Sequence, residues 1–207
     1  RMIRARHTFA GRLIAGFLAG PLLGSAFRKI RFIGDAGDDG LPVLMLANHF
    51  CWWDGIIQYR LNREQYRRRL YVMMLEKQLE EHPLLARCGC FSVRKGSRSI
   101  LETLDYCTEV MRSAQNMLLI FPQGEIQSLH RTALDMQPGV GYLLDRIPGD
   151  YNILLNINLP DYGSHRKPSL NCYCRTLRRA DLPDTPTLAR EWNRFYTICK
   201  NRQIDAP

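Results

Sequence analysis

The chain has 207 residues, of which 45% are hydrophobic and 24% charged, a composition that fits one globular domain and excludes a disordered chain. Its net charge of +9 indicates an anionic partner, which by charge alone is a nucleic acid, an anionic membrane surface or a phosphorylated substrate. The seven cysteines are scattered through apolar segments, which favours buried thiols in a reducing compartment over a disulfide framework.

The N-terminal segment, residues 1–28, is basic and apolar, and we expect it to form a unit separate from an α/β domain at residues 29–207. Met2, Phe9, Leu13 and Phe17 are predicted to share one helical face, as in helices that lie in a membrane interface. The alternatives are a helix packed on the protein core and, less in keeping with the sequence, a signal peptide. Because Pro21 interrupts the uncharged stretch 13–27, we expect no membrane-spanning helix.

From residue 29 onward, apolar runs of strand length alternate with helix-like segments. Strands are predicted at residues 29–33, 42–47, 70–74, 116–121, 152–158 and 170–176, with a further short strand before Arg94. Helices are predicted after Asp54, after Ser99, at 140–147 and at 185–200. This alternation predicts an α/β fold with a mostly parallel central sheet flanked by helices.

The second of these strands ends in Asn48-His49, and Asp54 follows five residues after His49 at the start of a helix. This order predicts that both side chains lie at the carboxyl edge of the sheet, where α/β proteins bind their ligands. A neutral histidine can take a proton from a hydroxyl, and a carboxylate on its other nitrogen fixes its tautomer. The alternative is a histidine in an ordinary turn, with Asp54 as a helix N-cap.

A later apolar strand ends in Phe121-Pro122-Gln123-Gly124-Glu125. The sequence Asn-His-x4-Asp, followed about seventy residues later by Phe-Pro-x-Gly, resembles the glycerolipid acyltransferases, a family that includes lysophosphatidic acid and glycerol-3-phosphate acyltransferases. The resemblance spans roughly residues 30–159. It implies that His49 and Asp54 are catalytic. The substrate-binding residues that it implies in these two motifs are Asn48, Phe121, Pro122, Gly124 and Glu125.

The resemblance also implies the reaction. A fatty acyl group would pass from a thioester donor, acyl-CoA or acyl carrier protein, to a hydroxyl of a lysophospholipid or related lipid. The enzyme would thus be one of the acyltransferases that transfer groups other than aminoacyl groups, in phospholipid biosynthesis. His49 would act as a general base for direct attack, with no enzyme nucleophile, no metal and no cofactor beyond the thioester. The expected location is peripheral, on the cytoplasmic face of the bacterial inner membrane.

A basic segment matches the family's phosphate-binding motif loosely, and its candidate ligands for an acceptor phosphate are Arg94, Lys95 and Arg98. The alternative is that these residues are ordinary surface cations. Where the family usually has Phe-Pro-Glu-Gly-Thr-Arg, this chain has Phe-Pro-Gln-Gly-Glu-Ile, so we expect Arg131 to substitute for the missing arginine. Met136-Gln137 also replaces a frequent Phe-Lys pair. These losses favour a lysolipid with another headgroup, a hydroxylated lipid or a glycolipid as acceptor.

Two other functions are compatible with parts of the sequence. Cys51, two residues from His49, is a candidate nucleophile for a thiol-dependent acyl hydrolase. A lipid-binding protein without catalysis is the second alternative. A nucleic-acid partner is not expected, because no binding motif accompanies the charge. The two Cys-x-Cys pairs do not have the usual spacing of zinc ligands, so no metal site is predicted.

Overall fold

The protein is described by a computed structural model that covers residues 2–35, 39–94, 99–182 and 184–204. Its strands are β1 (Lys29–Asp35), β2 (Val43–Ala47), β3 (Arg69–Leu75), β4 (Cys90–Val93), β5 (Asn116–Ile120), β6 (Asn152–Asp161) and β7 (Ser169–Arg178). Its α-helices are α1 (Phe9–Phe17), α2 (Leu23–Ala26), α3 (Asp54–Leu61), α4 (Glu76–Glu81), α5 (Ser99–Val110), α6 (Pro138–Arg146) and α7 (Thr185–Ile204). Shorter helical turns are the π-helices Leu18–Leu22 and Asn62–Tyr66 and the 3-10 helices Pro83–Arg87 and Arg179–Asp181.

The strands form one seven-stranded sheet in the order β1-β7-β6-β2-β5-β3-β4. Strands β6, β2, β5, β3 and β4 run parallel to one another, whereas β7 is antiparallel to β6 and β1 follows the direction of β7. Every residue of β2 and β5 is buried, because both sheet faces are covered there. The predicted α/β fold with a mostly parallel sheet is therefore confirmed.

Helices cover both faces of the sheet and make separate cores. On one face, α5, α6 and α7 pack through large apolar side chains such as Leu104, Leu143 and Trp192. On the other face, Leu61 and Ile57 of α3 and Leu79 of α4 pack over β2, β3 and β7. The result is a three-layer α/β/α domain in which α3 lies on the same face as the N-terminal helix.

The N-terminal helix differs in two respects from the sequence-based expectation. Pro21 does not interrupt it, because the π-helical turn around Pro21 accommodates a ring that an α-helix would exclude. Among the described residues, the run Phe9–Ala26 has 18 residues and is long and apolar enough to cross a membrane. Core helices and signal sequences meet the same criterion. Met2 does not share the helical face, since the helix begins only after its N-cap, Thr8, and Met2 is buried in the core.

The N-terminal segment is attached to the α/β domain along its whole length. Met2 and Leu23 are buried, and the backbone of Ile3 exchanges hydrogen bonds with Ser92 of β4. The backbone of Arg28 donates to the carbonyl oxygen of Pro168, just before β7. The helix therefore runs from the region of β4 to the region of β7, on the face that also carries α3.

Candidate active site

His49 and Asp54 come together just beyond the carboxyl end of β2. The strand ends at Ala47, so His49 stands two residues past it, and α3 begins with Asp54. The imidazole Nδ1 of His49 lies 2.7 Å from Oδ2 of Asp54. Asp54 is completely buried, whereas the His49 side chain is 24% exposed. The pair thus has one buried, negatively charged end and one end that reaches the surface.

The carboxylate of Asp54 is held by the loop that it closes. Its Oδ2 accepts hydrogen bonds from the backbone N–H groups of Phe50 and Cys51, at 2.7 and 2.9 Å, in addition to the bond with His49. The N-cap of α3 is Trp53, without a side-chain capping bond, and Asp54 lies in the first helical turn. Asp54 is therefore not the helix N-cap, and its carboxylate is directed toward the histidine.

The imidazole of His49 is fixed by an aromatic contact as well as by Asp54. It stacks on Phe121, with ring centroids 4.4 Å apart and planes inclined by 20°. Within the described part of the chain, Nε2 of His49 has no hydrogen-bond partner. Because Nδ1 bonds a carboxylate, that nitrogen carries the proton and Nε2 is the basic nitrogen of the neutral ring. The arrangement can accept a proton from a group that enters beside Phe121.

The main chain at Asn48 and His49 is anchored on both sides. Asn48 is buried; its Nδ2 donates to the Asn158 carbonyl at 3.1 Å and its Oδ1 accepts from the Asn158 N–H at 2.7 Å. On the other side, Oε1 of Gln123 accepts from the His49 N–H at 2.7 Å. The Gln123 Nε2 donates to the His49 carbonyl at 3.3 Å. The backbone therefore cannot shift without breaking several buried hydrogen bonds.

The loop that follows β5 wraps around this histidine. Phe121 and Pro122 open the loop, and Gly124 adopts φ of 69°, a left-handed conformation that favours glycine. The Gly124 N–H donates to the Phe121 carbonyl at 3.0 Å, and this turn directs the chain back toward His49. Glu125 is exposed. Of the predicted residues in this loop, Phe121 stacks directly on the imidazole.

The thiol of Cys51 is unsuited to act as a nucleophile. It donates a hydrogen bond to Oδ1 of Asp54 at 3.3 Å. Burial, together with the negative charge of Asp54, raises the pKa of the Cys51 thiol far above its usual range. Since the thiolate is the reactive form, the geometry disfavours attack by Cys51.

The two predicted cationic residues that the structure describes, Arg94 and Arg131, lie on different segments and have different partners. Arg94 follows β4 at the same carboxyl edge as His49, but β4 is three strands from β2, or ~14 Å across the sheet. The Nε atom of Arg94 pairs with Glu76 at 2.5 Å. Lys95 and Arg98 lie outside the described residues. The side chain of Arg131 pairs with Asp135 at 3.3 Å.

Three site residues were missed by reasoning from the sequence. In the sequence, Gln123 stands out only as a replacement for the family's usual glutamate, although its amide bonds both backbone groups of His49. The Gln127 N–H also donates to the His49 carbonyl, at 2.9 Å, and Asn158 anchors Asn48. For Gln123 the motif position itself was an available signal. For Asn158 no local pattern indicated the contact, because it joins residues 110 positions apart.

Comparisons with known proteins agree with this fold and this arrangement of motifs. The sequence matches the acyltransferase family over residues 29–153. No curated protein matches the sequence. The fold is similar to the crystal structure of the 1-acyl-sn-glycerophosphate (LPA) acyltransferase PlsC from Thermotoga maritima, with a TM-score of 0.58 and 10% identity over 94% of this chain and 78% of that one. The family match covers more than half of the chain and contains both motifs, so this protein belongs to the acyltransferase family.

Proposed function

We propose that the protein is a membrane-surface O-acyltransferase that moves a fatty acyl group from a thioester to a hydroxyl of a lysophospholipid or related lipid. The observation that carries this proposal is the pair of His49 and Asp54, in which Nδ1 of a partly exposed imidazole is bound to a buried carboxylate. A neutral hydroxyl must lose its proton to a base as it attacks, and a histidine held by a carboxylate can act as that base. The donor is acyl-CoA or acyl carrier protein.

In the proposed reaction, the acceptor hydroxyl oxygen attacks the thioester carbonyl carbon while Nε2 of His49 takes the hydroxyl proton. The imidazolium that forms is stabilised by Asp54. When the tetrahedral intermediate collapses, the carbon–sulfur bond breaks and the departing sulfur takes the proton from Nε2. The products are an ester and a free thiol, and His49 returns to its neutral form. General base catalysis of this kind contributes about 10²- to 10⁴-fold.

The acceptor headgroup is proposed to bind along the carboxyl edge of the sheet, between His49 and Arg94. Arg94 is at the end of β4 on that edge, and its side chain is 59% exposed. A phosphate on the acceptor would compete with Glu76 for the guanidinium, through charge-assisted hydrogen bonds. The span of ~14 Å between strands β2 and β4 favours an acceptor larger than glycerol phosphate, in which the hydroxyl and the charged group are well separated.

Membrane contact is proposed to occur through helix α1. Phe9, Leu13 and Phe17 recur every four residues and are 70%, 61% and 59% exposed, so the helix presents an apolar stripe to its surroundings. Arg12, exposed beside the stripe, stands over the Phe9 ring with its guanidinium carbon 5.9 Å from the centroid. Exposed apolar side chains flanked by arginines are typical of helices bound in an anionic membrane interface. We propose the cytoplasmic face of a bacterial inner membrane as this location.

A thiol-dependent hydrolase is the weaker alternative, because Cys51 donates its thiol hydrogen to Asp54 and has a raised pKa. A lipid-binding protein without catalysis is disfavoured as well. Such a protein would have no need for a completely buried carboxylate bonded to a histidine at the surface, since burying a charge is costly.

The function is tested by offering the purified protein a labelled acyl thioester together with lysolipids of different headgroups in detergent. The wild-type protein should transfer label to at least one acceptor, and H49A should reduce kcat by about 10²-fold or more. The control is Q115E, a substitution of an exposed residue just before β5, at the end of that strand remote from His49. Transfer that persists unchanged in H49A would contradict the proposed chemistry.

A further inference from the structure

Three large, mainly apolar side chains are exposed around the His49 site. Trp52, Ile126 and Tyr162 are 63%, 56% and 59% exposed, in the segments that follow β2, β5 and β6. These three strands are neighbours and run parallel, so the segments leave the sheet at the same carboxyl edge, with that of β2 in the middle. Because a tryptophan this exposed leaves a large apolar surface in water, the edge is suited to contact a partner.

Trp52 and Ile126 lie close to the catalytic histidine. Trp52 is three residues after His49, and its ring meets the ring of Trp53 edge to face, with centroids 5.1 Å apart. Ile126 directly precedes Gln127, whose N–H donates to the His49 carbonyl at 2.9 Å. A surface that contacts both exposed side chains therefore also covers the approach to the imidazole.

The loop after β6 adds an aromatic ring and two cations to this edge. Strand β6 continues to Asp161, beyond Asn156, which pairs with the last residue of β2. Tyr162 follows directly, and Arg166 and Lys167 are exposed in the same loop. Within the described part of the chain, neither cation has an ion-pair partner. The loop therefore combines an exposed tyrosine with two free positive charges.

We propose that this carboxyl edge is a second membrane contact, in which Trp52 and Tyr162 lie among the headgroups of an anionic bilayer. The inference rests on the proposed acyl transfer, for which it supplies the route by which a lysolipid passes from the bilayer to His49. Tryptophan and tyrosine favour the interface because each has an apolar ring and a polar N–H or O–H group. Arg166 and Lys167 add attraction to anionic lipids.

The edge is continuous with the membrane contact proposed for α1. The helical segment that begins with α1 ends after α2, where the N–H of Arg28 donates to the carbonyl of Pro168 at 2.8 Å. Pro168 lies at the base of the loop that carries Tyr162. One bilayer can therefore contact the α1 stripe and the carboxyl edge together, which favours a lipid surface over a protein as the partner.

The test uses tryptophan fluorescence and vesicles of phosphatidylserine with a diacyl phosphatidylcholine that carries bromine on its chains. Bromine quenches tryptophan on contact, and these lipids have no free hydroxyl to be acylated. The wild-type protein should lose about the share of emission of one tryptophan in three, because Trp192 is completely buried. W52F should lose most of this quenching. Vesicles of the same lipids without bromine correct for changes caused by binding alone.

A tryptophan moved along the edge separates membrane contact from a lipid chain that merely enters the active site. In W52F/Y162W the new probe lies on the loop after β6, and quenching should return. The matched control is W52F/Q115W, with the probe at an exposed position just before β5, at the opposite edge of the sheet, where no quenching is expected. If W52F did not fold, Y162W and Q115W in the wild-type background would give the same comparison.

The two cations are tested by vesicle sedimentation. R166S/K167S should weaken binding to the anionic vesicles about 10- to 30-fold at low salt, because each cation near the surface contributes attraction. At high salt the difference should nearly vanish, since the field is screened. An equal loss at both salt concentrations would contradict the electrostatic role of the loop.

The outcomes separate this surface from the proposed chemistry. Quenching confined to the wild-type protein would mean that lipid reaches Trp52 only inside the site, and the membrane contact would be overturned. Equal quenching in W52F/Q115W, or none in vesicle-bound wild-type protein, would overturn it as well. A wild-type protein that transfers no acyl group to detergent-dispersed acceptors refutes the proposed function instead, because quenching requires no turnover.

Discussion

Replacing Asp54 by asparagine isolates the charge of the carboxylate from its geometry. The N–H groups of Phe50 and Cys51 both donate to Oδ2, so the carbonyl oxygen of an asparagine should occupy that place and its NH₂ should not. His49 would then keep an acceptor for its Nδ1 proton. D54N should therefore preserve the tautomer and remove only the negative charge that stabilises the imidazolium.

The size of the effect follows from the distance. A unit charge on His49 and one on Asp54, about 4 Å apart at an effective dielectric constant near 20, interact by ~4 kcal/mol. Since ~1.4 kcal/mol corresponds to a factor of ten, kcat should fall by about 10²- to 10³-fold. The full loss of ~4 kcal/mol applies only if the imidazole is fully charged in the transition state. A partly charged imidazole would lose less, so the expected range begins at about 10²-fold.

The assay is single-substrate saturation with labelled acyl thioester, together with thermal unfolding of the same preparations. D54N should unfold close to the wild-type temperature, because its carbonyl still accepts from both backbone amides. D54A should lose about 2–4 kcal/mol of stability, because buried donors are left unpaired. The reasoning is refuted if folded D54N keeps more than about a tenth of the wild-type kcat, or if D54A is as stable as D54N.

Three further predictions concern other parts of the molecule. C51A should keep kcat within about threefold, and mass spectrometry should find no acyl-cysteine, because the thiol has a raised pKa and only donates to Asp54; a trapped acyl-Cys51 would contradict direct attack. R94A should raise the acceptor KM about 10- to 100-fold with little change for the donor; equal effects on both substrates would place the headgroup elsewhere. Changing both Phe9 and Phe17 to Ser should abolish the part of vesicle binding that persists at high salt, because an apolar contact is not screened; binding unaffected by the double change would exclude the α1 stripe.

The pattern of apolar residues was sufficient to predict the sheet and to place His49 and Asp54 together at its carboxyl edge. The run of β2 is apolar at every position and that of β5 at every position after Asn116, which is typical of strands covered on both faces, and their predicted lengths were right to within a few residues. His49 and Asp54 are separated by one short loop, so their contact is a local consequence of a strand followed by a helix. Local order along the chain is enough to determine such features.

The contacts that hold the site depend on the tertiary structure alone. The bond between Gln123 and His49 joins residues 74 positions apart, and it forms because β5 lies beside β2 and ends three residues too early to pair with the histidine. The strand order that brings these segments together is set by packing of the whole sheet. The pattern of apolar residues within either segment does not indicate this strand order.

In the N-terminal helix, too, some features follow from the sequence and others from the tertiary structure. Its apolar and basic composition was evident from the sequence, but the sequence did not separate the residues that pack from those that remain exposed. Leu23 and Met2 are buried against the domain, whereas Phe9, Leu13 and Phe17 are not. An apolar side chain favours burial wherever it lies in the sequence. Whether it is buried inside the protein or stays exposed for a partner depends on which surface the folded chain places against it.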